Sequence, residues 1–134
     1  MQTLEPTQAT KLLEPFVHQR TVSLTTYKRD GTPVATPVSL AVEGDHAYFR
    51  TWHTAWKAKR LRNNPEVEVA TSTVTGKATG APIRGRARLL EGDAARHAAG
   101  LLAGKNKVLQ RILVPAYHRL RGYRTLHYEF TPHS

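Results

Sequence analysis

One stretch constrains the fold of this chain more than any other. Thr21-Val22-Ser23-Leu24-Thr25-Thr26-Tyr27 is rich in β-branched residues, and Val22, Leu24 and Thr26 alternate onto one face. Just beyond it, Asp30-Gly31 is a hairpin turn pair, because glycine accepts the positive φ such turns demand. A second strand is expected to return over Val34 to Val42. Glu43-Gly44-Asp45 then makes a further turn into a third strand, His46 to Thr51, with Ala47 and Phe49 on one face. The segment predicts an antiparallel meander. Pro33 and Pro37 withhold backbone donors from the second strand, which suits an edge or a bulge better than a central position.

The remaining elements fit around that meander. A short helix is expected over Thr7 to Phe16, capped by Thr7 and presenting Leu12, Leu13 and Phe16. Thr54 to Asn64 reads as a basic helix, capped by Thr54 and stopped by Asn63-Asn64-Pro65. Strands follow over Glu66 to Val74 and Ile83 to Leu90, the latter with Arg84, Arg86 and Arg88 on one face and Gly85 and Ala87 on the other. Helices are expected at Asp93 to Ala103 and Asn106 to Arg121, and a sixth strand at Thr125 to Thr131, where Leu126, Tyr128 and Phe130 alternate. Six short strands with helical insertions favour a small β-barrel over a doubly wound sheet. At 134 residues, 1–134 reads as one domain with enough chain for one core.

Many chemistries are excluded at once. The chain has no cysteine, so disulfides, thiolate metal sites and thiol nucleophiles are out. Its seven histidines show no metal-ligand spacing, and no metal site is expected. Neither a P-loop, a GxGxxG turn nor a serine-hydrolase elbow is present. No catalytic acid, base or nucleophile is therefore named, and any redox chemistry must come from a cofactor. Met1 to Pro6 lacks the pattern of a signal peptide, and no apolar run approaches a membrane span. A cytoplasmic protein is expected.

Twenty Lys and Arg against ten Asp and Glu leave a net charge of +10, a field that attracts anions. Its densest stretch is Lys57 to Arg62. The third strand ends at Thr51, just before this helix begins. Helix N-terminal N–H groups, Lys57, Arg60 and the Thr51 hydroxyl together suit a phosphate. A solvated basic helix face explains the same residues. The free amides of a bulged second strand, at Val38 or Ser39, can likewise face a planar ligand, or the strand can be an ordinary protected edge. A non-enzymatic barrel binding single-stranded nucleic acid is the competing class, with Tyr48, Trp52 and Trp56 to stack bases. A heme-binding barrel would need an axial ligand such as His53 or His118.

The ordered set Asp30-Gly31-Thr32-Pro33, Ala35-Thr36-Pro37-Val38, Tyr48-Phe49-Arg50-Thr51, Lys57-Ala58-Lys59-Arg60-Leu61 and Asn64-Pro65 resembles the pyridoxamine 5'-phosphate oxidase-like split β-barrel superfamily. Within it, the set resembles the deazaflavin-dependent branch, whose members bind coenzyme F-420. The resemblance spans roughly Thr21 to Leu90. It implies a mainly β, six-stranded antiparallel split barrel of the flavin-mononucleotide-binding type, forming a homodimer with the cofactor in a groove between subunits. Carried over by position, Thr36, Pro37, Val38 and Ser39 run along the cofactor ring. Thr51 and Lys57 hold its phosphate, with Lys59 or Arg60 assisting. The implied activity is hydride transfer between reduced coenzyme F-420 and a small-molecule substrate. Flavin mononucleotide (FMN) is the alternative cofactor, but its users commonly carry an arginine directly before the lysine matched by Lys57. Here that residue is Trp56. Nucleic acid is the less expected partner.

Overall fold

The computed structural model describes residues 3–105 and 124–134. Helix α1 (Pro6–Leu13) runs into a 3-10 turn (Glu14–Phe16). Strands β1 (Val22–Tyr27), β2 (Pro33–Val38), β3 (Leu40–Glu43) and β4 (His46–Trp52) follow. Then come α2 (Trp56–Asn63), β5 (Glu66–Thr71), β6 (Ile83–Leu89), α3 (Gly92–Lys105) and β7 (Thr125–Pro132). The helix expected over Asn106 to Arg121 lies outside the described residues.

The first hairpin forms as its turn residues require. Gly31 takes φ 87° and donates to Lys28 O at 2.9 Å, while Thr32 N donates to Asp30 Oδ1 at 3.0 Å. Strands β1 and β2 then pair antiparallel from Tyr27↔Pro33 to Val22↔Val38.

The expected strand Val34 to Val42 is two strands, which makes seven rather than six. Their partners explain the break. The sheet order is β2-β1-β5-β6-β7-β4-β3, so β2 and β3 are its opposite edges, yet only Ser39 separates them in the chain. Two Cα–Cα steps reach at most about 7.6 Å. The edges of a flat sheet of this width would stand about 29 Å apart, at roughly 4.8 Å per strand. The sheet therefore curls until its edges meet at Ser39, which is the geometry of a split barrel. Pro33 and Pro37 sit on an edge strand, as their missing donors require.

Inward-facing side chains fill the barrel: Val22 and Leu24 from β1, Phe49 from β4, Val67 and Val69 from β5, and Tyr128 and Phe130 from β7. Phe49 stacks on its cross-strand partner Tyr128 at a centroid distance of 5.1 Å. Leu13 and Phe16 join this core from the N-terminal helix and turn. Gly85 lies where β6 passes Phe130; a Cβ there would stand 2.6 Å from Phe130 Cζ and from Thr131 O. On the outer face, Ala98 and Leu102 of α3 pack on Ala41, Tyr48 and Leu90. Glu43 fastens the same contact, accepting from Tyr48 Oη at 3.1 Å and meeting His97 Nε2 at 2.8 Å.

Two expected caps are replaced. Glu5 and Gln8 close a capping box on α1 in place of Thr7, and Ala55 precedes α2 with no side-chain cap, in place of Thr54. Among the described residues, no helix is long and apolar enough to cross a membrane.

Candidate functional site

Helix α2 owes its orientation to two apolar residues on an otherwise basic segment. Ala58 and Leu61 are buried against the barrel, while Lys59 and Arg62 face outward. Arg60 Nε donates to the fully buried Thr26 Oγ1 of β1 at 2.6 Å, fastening the helix to the sheet. Asn63-Asn64-Pro65 ends the helix: Asn64 N donates to Arg60 O at 2.9 Å, and Asn64 Oδ1 accepts from Glu66 N at 3.0 Å as β5 begins. No side chain caps the start of α2 beside Lys57; Ala58 N donates to Ala55 O at 3.1 Å.

Two hollows flank this helix, and the eight sequence-expected residues divide between them. The smaller, of about 240 Å³, brings together Pro37, Val38, Ser39, Thr51 and Lys57 with Arg50, Trp52 and Thr125. The larger, of about 840 Å³, holds Thr36, Lys59 and Arg60, together with Lys28, Arg29 and Trp56. On β2 the boundary falls between Thr36, which with Val34 lines the larger hollow, and Pro37-Val38 beside the Ser39 crossover, which line the smaller. The Ser39 crossover and the end of β4 form one wall of the small hollow. The turn of the β5–β6 loop props this wall from behind, because Gly76, at φ 94°, comes so close to Pro37 that a Cβ would lie 3.0 Å from the Pro37 Cβ.

The electrostatics of the small hollow are one-sided. Burial lowers the Lys57 ammonium below its ordinary value, and the neighbouring Arg60 charge adds to the effect. Burial also lowers Arg50. His127, opposite Arg50 on β7, is lowered by burial and by the Arg50 charge. Two hydroxyls need a partner: Thr36 Oγ1 and Thr51 Oγ1 are the buried side-chain oxygens or nitrogens without a hydrogen bond among the described residues. One borders each hollow. A buried hydroxyl without a partner costs roughly 1–3 kcal/mol, so it is informative where it occurs.

Trp56 is 71 % exposed with Lys59 Nζ 5.1 Å from its ring centroid, whereas Tyr48 is buried under α3. Among the described residues the aromatics do not form a continuous stacking surface. Arg86 and Arg88 meet Glu66 at 3.5 Å and Glu129 at 3.3 Å on the exposed face of β6, away from both hollows. His53 Nδ1 is occupied by the backbone N–H of Arg124 at 3.1 Å. His118 lies outside the described residues, and among those described no group of three or more His, Asp or Glu suits a metal ion.

Arg50, Trp52 and Thr125 also line the small hollow, and the sequence pattern did not single them out for this site. A charged residue between Phe49 and Thr51 inside a strand was the available signal for Arg50. Nothing local marks Thr125, which reaches the hollow because β7 pairs with β4, Trp52↔Thr125.

A curled antiparallel sheet whose edges meet beside a basic helix defines a split barrel with a polar cleft at its seam. The chain belongs to the pyridoxamine 5'-phosphate oxidase family, whose profile matches residues 9–131. Solved structures agree on the fold. An FAD-binding protein from Mesorhizobium loti superposes with a TM-score of 0.65 at 18% identity, covering 99% of this chain and 93% of that one. An F420 reductase gives 0.64 at 15%, covering 90% and 93%. The heme storage protein of Vibrio cholerae gives 0.60 at 17%, covering 99% and 92%. No curated protein matches the sequence. At such identities these similarities establish architecture, and the chemistry rests on this chain's own residues.

Proposed function

We propose that this chain is a single-domain oxidoreductase that binds a phosphate-bearing flavin-type cofactor, coenzyme F-420 in the first place and FMN as the alternative. The carrying observation is the pair of buried, unpartnered hydroxyls, Thr36 Oγ1 and Thr51 Oγ1, set on either side of a basic helix. Thr51 and Lys57 line a hollow of the right size and charge for a phosphate. Thr36 lies at the larger hollow, where a tricyclic ring has room, and Pro37 to Ser39 offer the edge of β2 between the two. Lys59 and Arg60 belong to the ring side, and Arg60 acts there through its hold on Thr26.

The bound cofactor would supply hydride transfer to or from a small molecule stacked on its ring. This chain's residues would bind the cofactor's anionic end, hold the ring against the β2 edge and exclude water from one side of it. No side chain is required to move a proton, so the protein's contribution is positioning. Both hollows open to the surface beside α2, and a second copy related by a twofold axis would cover them symmetrically. A homodimer is therefore the expected form, and the cytoplasm its expected location.

The strand-binding alternative fares worse, because of the three aromatics it needs Tyr48 is buried and Trp52 lines the small hollow, and only Trp56 is exposed. Titration with oxidised coenzyme F-420 and separately with FMN tests the proposal, read by quenching of the two tryptophans, one of which borders each hollow. Micromolar binding lost in Lys57→Ala is the expected result. Absence of binding by both cofactors, with steeply salt-dependent binding of single-stranded nucleic acid, would reverse the choice.

A further inference from the structure

The small hollow contains more positive charge than its walls can balance. Arg50 and Lys57 both line it, both are half-buried, and neither has a carboxylate or hydrogen-bond partner among the described residues. Thr51, between them in the lining, is 6 % exposed and its hydroxyl is unpartnered. Each of these cations loses hydration at the same small space, and neither recovers the loss from a partner among the described residues. Such an arrangement becomes favourable when an anion enters. Trp56, directly before Lys57 on α2, sits at the larger hollow, so the second cation of the small one comes from Arg50 on β4.

We infer that Arg50 is the second cation of a phosphate-binding site, delivered from strand β4 rather than from helix α2, and that it sets this protein's preference for phosphorylated over unphosphorylated ligands. The inference rests on the reading that the small hollow receives the anionic end of a cofactor. The guanidinium would donate two parallel N–H bonds to phosphate oxygens, the Lys57 ammonium would add a point charge, and the Thr51 hydroxyl would donate a third contact. The same chemistry would suit the phosphate of the cofactor or a free phosphate ester.

The two sources separate in one set of titrations. In a Trp56→Phe background, Trp52 is the only tryptophan and lies in the hollow itself. This parent is titrated with FMN, with riboflavin and with inorganic phosphate, and its melting is followed alongside. Adding Arg50→Gln should weaken FMN binding roughly tenfold or more while leaving riboflavin unchanged. Arg50→Lys should recover part of the loss, since it keeps the charge but not the fork. Stabilisation of the parent by inorganic phosphate should disappear in Arg50→Gln. Without ligand, Arg50→Gln should melt no lower than the parent, because it removes a half-buried unpaired charge.

An unchanged ratio of FMN to riboflavin affinity, with an unchanged phosphate response, overturns the inference. So does a lowered melting point with equal losses for both flavins, which would make Arg50 merely structural. A parent that discriminates neither flavin and ignores phosphate overturns it too. If neither flavin nor oxidised coenzyme F-420 binds but the phosphate response is present and depends on Arg50, the anion site stands and the cofactor reading falls.

Discussion

Replacing Thr51 with valine should make the empty protein more stable and the ligand weaker. Valine has nearly the same shape, so the change isolates one hydroxyl. That hydroxyl is buried, at 6 % residue exposure, and has no hydrogen-bond partner among the described residues. Removing an unsatisfied buried hydroxyl should recover about 1–2 kcal/mol. The unfolding entropy of a 134-residue chain is about 0.28 kcal/mol/K, from roughly 2.1 cal/mol/K per residue. Each kcal/mol is then worth about 3.6 °C, and the expected rise in Tm is about 4–7 °C. Thermal melts and urea denaturation with an unchanged m-value would measure it. In the same preparations, affinity for the phosphate-bearing cofactor should fall about tenfold or more, the usual worth of a hydrogen bond to a charged group. A lower Tm would mean that the hydroxyl has a partner and the site is misread. A higher Tm with undiminished affinity would mean that its vacancy has nothing to do with the ligand.

Further outcomes can be checked with ordinary variants. Gly85→Ala should cost about 1–3 kcal/mol by overpacking, because its Cβ would press on both the Phe130 ring and the Thr131 carbonyl; an unchanged melting point would contradict the packing at β6. Leu102→Ala, at a fully buried position on α3, should cost about 2–4 kcal/mol and raise amide exchange in α3 before it does so in β1 and β5. His127 has a lowered pKa when folded, from burial and then from Arg50, so the unfolded chain binds its proton more readily. Its contribution is therefore destabilising as pH falls through about 6.5 and absent well above it. His127→Gln should flatten the loss of Tm on acidification, and NMR titration of the ring should give a midpoint below the ordinary histidine value; a midpoint at or above it would refute the assignment.

Local signals carried most of the secondary structure. The Asp30-Gly31 turn, the alternation of Val22 and Leu24, and the stop at Asn64-Pro65 all act over a few residues, and the chain obeys them. Alternation on β6 was equally legible, with Gly85 and Ala87 inward and the three arginines outward. The Ser39 break was not. Val34 to Val42 reads as one continuous strand, and the change of partner from β1 to β4 is a property of the closed sheet rather than of any nearby residue. The site was legible in the same measure. Lys57 and Thr51 meet because they are close in sequence, across the short link from β4 to α2. Thr36 lies with Val34 at the larger hollow, whereas Pro37 and Val38 lie next to the Ser39 crossover at the smaller one. Arg60 lines the larger hollow, and its immediate partner is Thr26, which only the packing of α2 on β1 reveals.

The position of β7 also sets the order of assembly. It is the last strand in the chain, yet it lies inside the sheet, pairing with β6 on one side and β4 on the other. Without it, the remaining strands make two disconnected ribbons, β2-β1-β5-β6 and β4-β3, tethered at Ser39. The β1–β2 and β3–β4 hairpins involve near neighbours and can form early, but joining the ribbons must wait for the most distant contacts in the chain. Until β7 arrives, the facing edges of β4 and β6 are unpaired and open to strands from other chains. A nascent or truncated form lacking Thr125 to Pro132 is therefore expected to aggregate rather than persist as a smaller barrel.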